Sequence, residues 1–355
     1  MGTTKSLTVP GDESVAAFVA AVREALPAAG FWSMPVLAAV SGGGDSVALL
    51  VALRRLVPAD AVRRLVVVHA EHDLRADAGD DRAFVEGMAG RMGLPFVTRR
   101  LEVRAVGGEG IEAAARRLRY AFFAEAAAET GGRHVVVAHT ADDQAETILH
   151  RVLRGTAVRG LGGMSRAREL APGVSLLRPL LEVRRRLARD FLAGVGEEWR
   201  EDPSNADRRH ARNLLRHEVI ATCERTRYPS CTEAIVRLGR QAAAISGALR
   251  SAAERLLDEH ARRQADGSVV VRTAGLAGLD PLLLAEVFVA LWCREGWPRR
   301  DMTARHYETL VRLALAERMA DETLALPGPV AVRFNAGHVV ISRPWTAPPP
   351  LGDRQ

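Results

Sequence analysis

The stretch Val36-Leu-Ala-Ala-Val-Ser-Gly-Gly-Gly-Asp-Ser-Val-Ala-Leu-Leu50 places three consecutive glycines and an Asp-Ser pair between two apolar segments. The first segment predicts a buried strand, and the second predicts the start of a helix. A strand that enters a glycine turn and leaves as a helix directs backbone N–H groups and the positive end of the helix dipole toward one place. The stretch therefore predicts an anion-binding loop, with a tight turn that binds nothing as the alternative.

The side chains of this glycine loop favour phosphate together with a cation. The loop consists of Ser41, Gly42, Gly43, Gly44, Asp45 and Ser46. Its glycines let the backbone approach phosphate oxygens, and its two hydroxyls add donors. No lysine follows the glycines, which excludes the Walker-type P-loop. Asp45 places a carboxylate inside an anion site, which makes sense if Mg²⁺ bridges the carboxylate and bound phosphates.

Short β-branched runs alternate with helical stretches through the N-terminal part of the sequence. The predicted strands are Val36–Val40, Leu65–His69, Phe96–Arg99 and His134–His139. The predicted helices are Ser46–Val57, Asp80–Met92 and Glu112–Thr130. This alternation predicts an α/β fold, a parallel doubly wound sheet with helices on both faces. Ligands of such sheets bind beyond the carboxyl ends of the strands.

The alternation stops in an Arg-rich segment at residues 200–220, which predicts a domain boundary. We expect an N-terminal nucleotide-binding domain over 1–225, a linking helical segment over 226–264, a smaller mixed α+β domain over 265–345 and a loose tail over 346–355. In the smaller domain, Asp280-Pro281 predicts a helix start, and Val330–Phe334 with His338–Ser342 predicts a hairpin.

The composition narrows the class of protein. The chain of 355 residues has 49 Lys and Arg against 43 Asp and Glu, a net charge of +6, which suits either a polyanionic partner or simple solubility. Its three cysteines form no CxxC pair and no zinc spacing, as in a reduced cytosolic protein. No apolar run is long enough to span a membrane, and the N-terminus lacks the apolar core of a signal peptide. We therefore expect a cytoplasmic protein without a membrane partner.

A second motif, His139-Thr-Ala-Asp-Asp-Gln-Ala-Glu-Thr147, follows the strand that ends at His139. If a helix begins near Ala141, Asp142 and Asp143 share a face with Glu146. The acids are either helix caps or a site that holds Mg²⁺ or orients an amine. His139 could bind phosphate or move a proton.

Two further motifs are basic. Glu112-Ala-Ala-Ala-Arg-Arg-Leu-Arg-Tyr120 puts Arg116, Arg119 and Tyr120 within about one helical turn. The segment after the turn Asp202-Pro-Ser-Asn205 carries Arg208, Arg209, Arg212 and Arg216. Each motif predicts either a solvated basic helix face or a phosphate-binding surface.

Together the four motifs resemble the tRNA(Ile)-lysidine synthetase family of N-type ATP pyrophosphatases, whose loop is SGGxDS. The resemblance covers roughly residues 34–220 and extends to Arg154-Gly-Thr-Ala-Val-Arg-Gly-Leu-Gly-Gly-Met164, Arg178-Pro-Leu-Leu181 and Arg212-Asn-x-x-Arg216. The sequence departs from the family pattern at Glu71, where members commonly have Asn, and at Thr140, where they commonly have a second His.

The resemblance implies a reaction and a set of roles. ATP adenylates O2 of cytidine 34 in the CAU anticodon of an isoleucine tRNA, and free L-lysine then attacks C2 to give lysidine and AMP. By family position the glycine loop binds ATP, with Asp45 holding Mg²⁺, and His139 lies near the nucleotide. The lysine site is assigned to Asp143 and Glu146. The resemblance gives Arg116 and Arg212 the role of holding phosphate or the polarised base. It gives the role of binding tRNA to the C-terminal domain and to Arg208, Arg209, Arg212 and Arg216. Members are often dimers, so a homodimer is a further expectation.

Two alternatives remain from the sequence. Another ATP pyrophosphatase, such as a tRNA thiolase or a small-molecule amidating synthetase, is disfavoured by the lack of CxxC pairs and of a glutaminase domain. A catalytically inactive tRNA-binding homologue would be consistent with Glu71 and Thr140. It is disfavoured by the presence of Asp45, His139, Asp143 and Glu146.

Overall fold

The computed structural model describes residues 10–72, 78–104, 110–201, 211–315, 323–335 and 337–343. Asp202–Asn205, Arg208, Arg209 and the tail 346–355 lie outside these ranges. The chain divides into two compact units, Met1–Ala242 and Ala243–Gln355. The finer boundaries at 225, 264 and 345 stay predictions.

The N-terminal unit alternates strands and helices. Its helices are α1 (Pro10–Ala25), α2 (Gly44–Leu56), α3 (Ala78–Arg91), α4 (Ile111–Thr130), α5 (Ala141–Leu153), α6 (Val158–Leu161), α7 (Arg185–Val195), α8 (Ala211–Leu214) and α9 (Ala221–Arg225), with a 3₁₀ helix at Ala59–Arg64 and a π-helical turn at Leu215–Ile220. Its strands are β1 (Val36–Ala39), β2 (Leu65–His72), β3 (Phe96–Leu101), β4 (His134–Val136), β5 (Ala167–Ala171) and β6 (Val174–Leu177). Helix α10 (Cys231–His260) crosses the division between the units.

The six strands form one sheet in the order β3-β2-β1-β4-β6-β5. All neighbouring pairs are parallel except β5 with β6 at the edge. The chain moves outward from β1 to β3 and then returns to place β4 on the other side of β1. This reversal between β1 and β4 is where a doubly wound sheet opens a crevice for ligands.

Both faces of the sheet are covered, as the alternation of β1 side chains requires. Val36 and Ala38 belong to an apolar cluster with Phe18 of α1. Leu37 points to the other face and packs in a second cluster with Phe122 of α4. The predicted parallel, doubly wound α/β class is therefore confirmed.

All four predicted strands end at a different residue from the one predicted, and β4 and β2 differ most, by three residues each. Strand β4 ends at Val136 instead of His139, because its partner β6 ends at Leu177, shortly before Pro179. Strand β2 continues to His72, because β3 pairs with it as far as Leu101.

The C-terminal unit is a mixed α+β structure, as predicted. Its strands are β7 (Ala261–Arg263), β8 (Val269–Arg272), β9 (Thr323–Leu326), β10 (Val330–Asn335) and β11 (His338–Ser342), and its helices are α11 (Pro281–Arg294) and α12 (Ala304–Ala314). The strands form an antiparallel sheet in the order β7-β8-β11-β10-β9, which contains the predicted hairpin as β10 and β11. Asp280 caps α11 through Leu282 N, as the Asp-Pro pair predicts. Helix α10 stops at His260 because the next residues pair with β8. None of the helices in the described ranges is long and apolar enough to cross a membrane.

Candidate active site

The glycine loop joins β1 to α2 and is held in shape by its own serines. Gly42 has a φ of +94°, a conformation that favours glycine. The Ser46 hydroxyl donates to the Gly43 carbonyl at 2.8 Å and accepts from the Ser41 amide at 3.1 Å. The Ser46 amide donates to the Gly43 carbonyl at 3.0 Å, which leaves the Gly44 and Asp45 amides as the first amides of α2 without an acceptor in the helix. The loop therefore presents amides, hydroxyls and a helix dipole at the carboxyl end of β1.

Trp199 and Arg200 pack against the glycine loop from outside. The Arg200 amide donates to the Gly42 carbonyl at 3.0 Å. A Cβ at Gly44 would lie 3.3 Å from the Trp199 indole. A side chain at position 44 would therefore require the Trp199 indole to shift by a few tenths of an ångström.

Helix α5 begins with a capping box formed by Thr140 and Asp143. The Thr140 amide and hydroxyl donate to Asp143 Oδ2 at 2.8 and 3.0 Å. Thr140 is fully buried, and a threonine hydroxyl is well suited to an N-cap. Thr140, which stands where family members commonly have a histidine, therefore serves as the N-cap of α5.

Arg185, the first residue of α7, lies at the centre of the acidic residues. Its Nε is 2.8 Å from Asp45 Oδ2, and its Nη2 is 2.6 Å from Asp143 Oδ1. Its amide donates to Asp142 Oδ2 at 2.8 Å, and its Nη1 is 3.9 Å from Glu146 Oε1. Burial would raise the pKa of Asp143, but Arg185 and the cap outweigh it and hold that pKa below its usual value. One guanidinium thus connects the glycine loop to the start of α5.

Arg185 is not among the site residues that the sequence predicts. Three consecutive arginines, Arg184 to Arg186, start α7 and are equivalent in the sequence. In the fold Arg186 is 91% exposed, Arg184 pairs with Glu224 and Glu233, and Arg185 is only 13% exposed among the carboxylates. The sequence feature nearest to Arg185 is the Arg178-Pro-Leu-Leu181 motif of the family resemblance, which ends four residues before it.

Glu146 is held less closely than Asp45 and Asp143, because the nearest guanidinium nitrogens lie 3.9 Å from its Oε1. It is 6% exposed, and its Oε1 is a buried atom that no donor in the described ranges bonds. Burial, followed by the negative charge of Asp143, raises the pKa of Glu146 to about 7, although Arg185 and Arg216 act in the opposite direction. The Nε of Arg216, in the π-helical turn, lies 3.9 Å from Oε1. A carboxyl group with this pKa can accept a proton near neutral pH.

His139 follows β4 and is uncharged at neutral pH. Burial lowers the pKa of His139 to about 4, and Arg178 and Arg116 add to that effect against the charge of Asp143. Arg178 Nε lies 3.3 Å from His139 Nδ1. Because a guanidinium can only donate, Nδ1 accepts and Nε2 carries the ring proton. His139 therefore offers one donor and no charge.

A cavity of about 340 Å³ lies at the carboxyl ends of β1 and β4. The apolar residues that line it include Val68, Phe123 and Val137. The predicted site residues that line the cavity are Ser41, Gly43, Gly44, Asp45, Ser46, His139 and Arg216. Arg185 also lines it and connects it to Asp143 and Glu146.

The remaining predicted residues lie elsewhere. Arg116 packs over the ring of Tyr120, with its Cζ 5.1 Å from the ring centroid. Arg212 is exposed on α8. Arg208 and Arg209 fall outside the described residues.

Asp45 is the residue through which the site could hold Mg²⁺. Burial raises the pKa of Asp45 against the effect of Arg185, and the carboxylate is 23% exposed. In the described part of the chain, no group of three His, Cys, Asp or Glu side chains could hold a metal ion by itself. The residues thus fit a Mg²⁺ ion that is coordinated by Asp45 together with phosphate oxygens of a bound nucleotide. They do not fit a Mg²⁺ site made of protein ligands alone.

Two other residues of α5 hold the neighbouring loop. The Gln144 amide bonds the Met164 backbone in both directions, at 3.0 and 2.8 Å. Arg151 donates to the Gly163 carbonyl at 2.7 Å. The Arg154–Met164 motif is therefore clamped to the helix that carries the acids.

Comparison with known proteins agrees with this geometry. Residues 19–223 match the PP-loop domain family. The chain is 37% identical to the tRNA(Ile)-lysidine synthase of Salinispora arenicola (strain CNS-205), over 93% of this chain and 97% of that one. The chain belongs to the tRNA(Ile)-lysidine synthase family. A member from Rhodopirellula baltica is 36% identical, over 78% of each chain.

Some members of the tRNA(Ile)-lysidine synthase family are longer. The two Thermus thermophilus members are 39% identical over 87% of this chain, which covers 57% of their length. Among solved structures, a U34-tRNA thiolase from Methanococcus maripaludis matches with a TM-score of 0.56 and 13% identity, over 66% of this chain and 80% of that one. That similarity shows a shared fold only.

Proposed function

We propose that this protein ligates free L-lysine to C2 of cytidine 34 in the CAU anticodon of an isoleucine tRNA, with ATP as the source of energy and AMP and pyrophosphate as products. The observation that carries the proposal is the contact of Arg185 with both Asp45 of the glycine loop and Asp143 of α5. Through Arg185, the carboxylates Asp143 and Glu146 lie next to the glycine loop and to the cavity that the loop lines. Membership of the family supports the same reaction.

In the first step, O2 of cytidine attacks the α-phosphorus of ATP and pyrophosphate leaves. The loop amides and the hydroxyls of Ser41 and Ser46 suit the negative charge that develops on pyrophosphate. Mg²⁺ bound with Asp45 would neutralise part of that charge. His139 can donate a hydrogen bond from Nε2 without adding a positive charge.

In the second step, the lysine ε-amine attacks C2, a C–N bond forms, and the C2–O bond to AMP breaks. The ammonium group has an ordinary pKa of about 10.4 and must lose a proton before it attacks. Asp143 is kept ionised by Arg185 and attracts the ammonium. Glu146, with a pKa of about 7, can accept the proton.

We assign the chemistry to the domain over 1–225 and tRNA binding to the domain over 265–345, with Arg208, Arg209, Arg212 and Arg216 as further tRNA contacts. Arg116 is assigned to phosphate or the polarised base together with Arg212. A cytoplasmic location and a homodimer complete the proposal. These assignments rest on the family resemblance and on the excess of basic residues.

The test is transfer of radiolabelled lysine, with ATP and Mg²⁺, to isoleucine tRNA transcripts that carry CAU. The same tRNA with UAU and a methionine tRNA are the controls. We expect incorporation into the first RNA alone and its loss in Asp45→Asn. AMP formation that needs no lysine, without incorporation, would instead indicate a different ATP pyrophosphatase.

A further inference from the structure

Four arginines surround Tyr120 beside the cavity. This arginine cluster consists of Arg116, Arg119, Arg168 and Arg178. The guanidinium carbon of Arg168 lies 4.7 Å from the Tyr120 ring centroid, and that of Arg116 lies 5.1 Å away. The positive charge of Arg178 also acts on the Tyr120 hydroxyl and lowers its pKa. Within the described ranges, no ion pair joins any of the four to a carboxylate.

In the described part of the chain, the only carboxylate whose charge acts on Arg119 is that of Glu112, which forms no ion pair with it. Arg119 Nε is buried, and no acceptor in the described part of the chain bonds it. Burial lowers the pKa of both Arg119 and Arg178. For Tyr120 burial would raise the pKa, but the charges of Arg116 and Arg178 outweigh it and lower that pKa. Four guanidinium groups that form no ion pair with a carboxylate in the described ranges favour the binding of phosphate.

The position of the cluster indicates a ligand longer than a nucleotide. Arg119 and Tyr120 line the cavity. Arg168 is exposed on β5, the antiparallel edge strand of the sheet, and does not line the cavity. The cluster therefore extends from the cavity onto the surface at the edge of the sheet, away from the glycine loop.

We infer that Tyr120 and Arg168, with the rest of the arginine cluster, bind the phosphodiester backbone of the RNA strand next to the target cytidine. This inference rests on the proposed function and adds a surface to it. A guanidinium stacked on an aromatic ring is pre-organised and loses less entropy when it binds a phosphate. RNA suits the site better than ATP because an RNA backbone is long enough to extend from the cavity to β5, whereas a single nucleotide is not.

The test compares Arg168→Gln with Arg166→Gln. Arg166 lies two residues away and is also exposed, but its Nη2 is paired with Glu182 at 3.1 Å. Affinity for a CAU anticodon stem-loop RNA is measured against salt concentration, and affinity for ATP is measured separately. We expect Arg168→Gln to weaken RNA binding about fivefold or more and to reduce the slope of log K against log salt by about 0.7. We expect Arg166→Gln to bind RNA like the unaltered protein, and neither change to alter ATP affinity.

A second variant separates charge from stacking. Arg168→Lys keeps the charge, so the salt slope should be retained while the affinity falls less than in Arg168→Gln. If Arg168→Gln binds RNA with unchanged affinity and slope while the unaltered protein transfers lysine, the inference is wrong and the proposed function stands. Loss of ATP affinity instead of RNA affinity would assign the cluster to the nucleotide and overturn the inference. If the unaltered protein neither binds RNA nor transfers lysine, both proposals fail.

Discussion

Replacement of Glu146 by glutamine should stabilise the fold at alkaline pH while it abolishes lysine transfer. Burial raises the pKa of Glu146 from 4.5 to about 7, so the folded protein holds this proton to higher pH than the unfolded chain does. The contribution of protonated Glu146 to the free energy of unfolding is fully present below pH 4.5. It is lost as the pH rises through about 7. At 1.36 kcal/mol per pKa unit, the loss amounts to about 3 kcal/mol at about pH 8. Glutamine stays neutral and avoids this loss.

Urea unfolding at about pH 5 and about pH 8, followed by tryptophan fluorescence, measures the effect. Relative to the unaltered protein, Glu146→Gln should be more stable by about 1 kcal/mol at the lower pH and about 3 kcal/mol at the higher. Glu13→Gln, at an exposed position of α1, is the control and should show no such dependence. A Glu146→Gln protein that gains no stability between the two pH values would refute the argument that Arg185 and Arg216, each 3.9 Å away, only partly offset the burial of the Glu146 charge.

Three further predictions follow from the same contacts. Arg185→Gln leaves Asp45 and Asp143 without their shared cation and should destabilise the fold by about 3 kcal/mol or more, with partial recovery in Arg185→Lys, as measured by urea unfolding; an unchanged midpoint would contradict this. Lysine transfer should decline as the pH falls below about 7, because protonated Glu146 can no longer accept a proton, and a flat pH–rate profile would argue against that role. Gly239→Ala in α10 would bring a Cβ to 2.4 Å from Ile148 Cδ1 and should cost about 1–3 kcal/mol, whereas Gly247→Ala, which meets nothing within 4 Å, should stabilise the helix by up to about 1 kcal/mol. Equal unfolding midpoints for these two variants would show that the packing at Gly239 is loose.

The sequence was sufficient to predict the first four strands of the sheet and the glycine loop because both depend on local pattern, whereas β5 and β6 were not predicted. The order strand, glycines and helix over Val36–Leu50 requires a turn at the carboxyl end of a strand, and the turn is found there. The start of α5 at Ala141 was predictable for the same reason. Local spacing could place Asp143 and Glu146 on one helix. It could not show that Arg185 of α7 lies opposite them.

The roles of single side chains depended on contacts between distant parts of the chain. Arg185 and Asp45 are 140 positions apart and meet only in the fold. The raised pKa of Glu146 arises from burial, which a motif does not encode. Arg168 belongs to no motif, and its contact with Tyr120 requires β5 to lie beside α4. Thr140, a departure from the family pattern in the sequence, is a buried N-cap in the structure.

The proposed reaction is tested most directly by mass spectrometry of nucleosides from CAU isoleucine tRNA after incubation with the protein, ATP, Mg²⁺ and lysine. The account predicts that cytidine 34 is replaced by a nucleoside heavier by lysine less one water, with one AMP formed for each nucleoside converted. Omission of lysine should leave cytidine 34 unconverted. An unmodified cytidine 34 in the complete reaction, although the protein binds the RNA, would contradict the account.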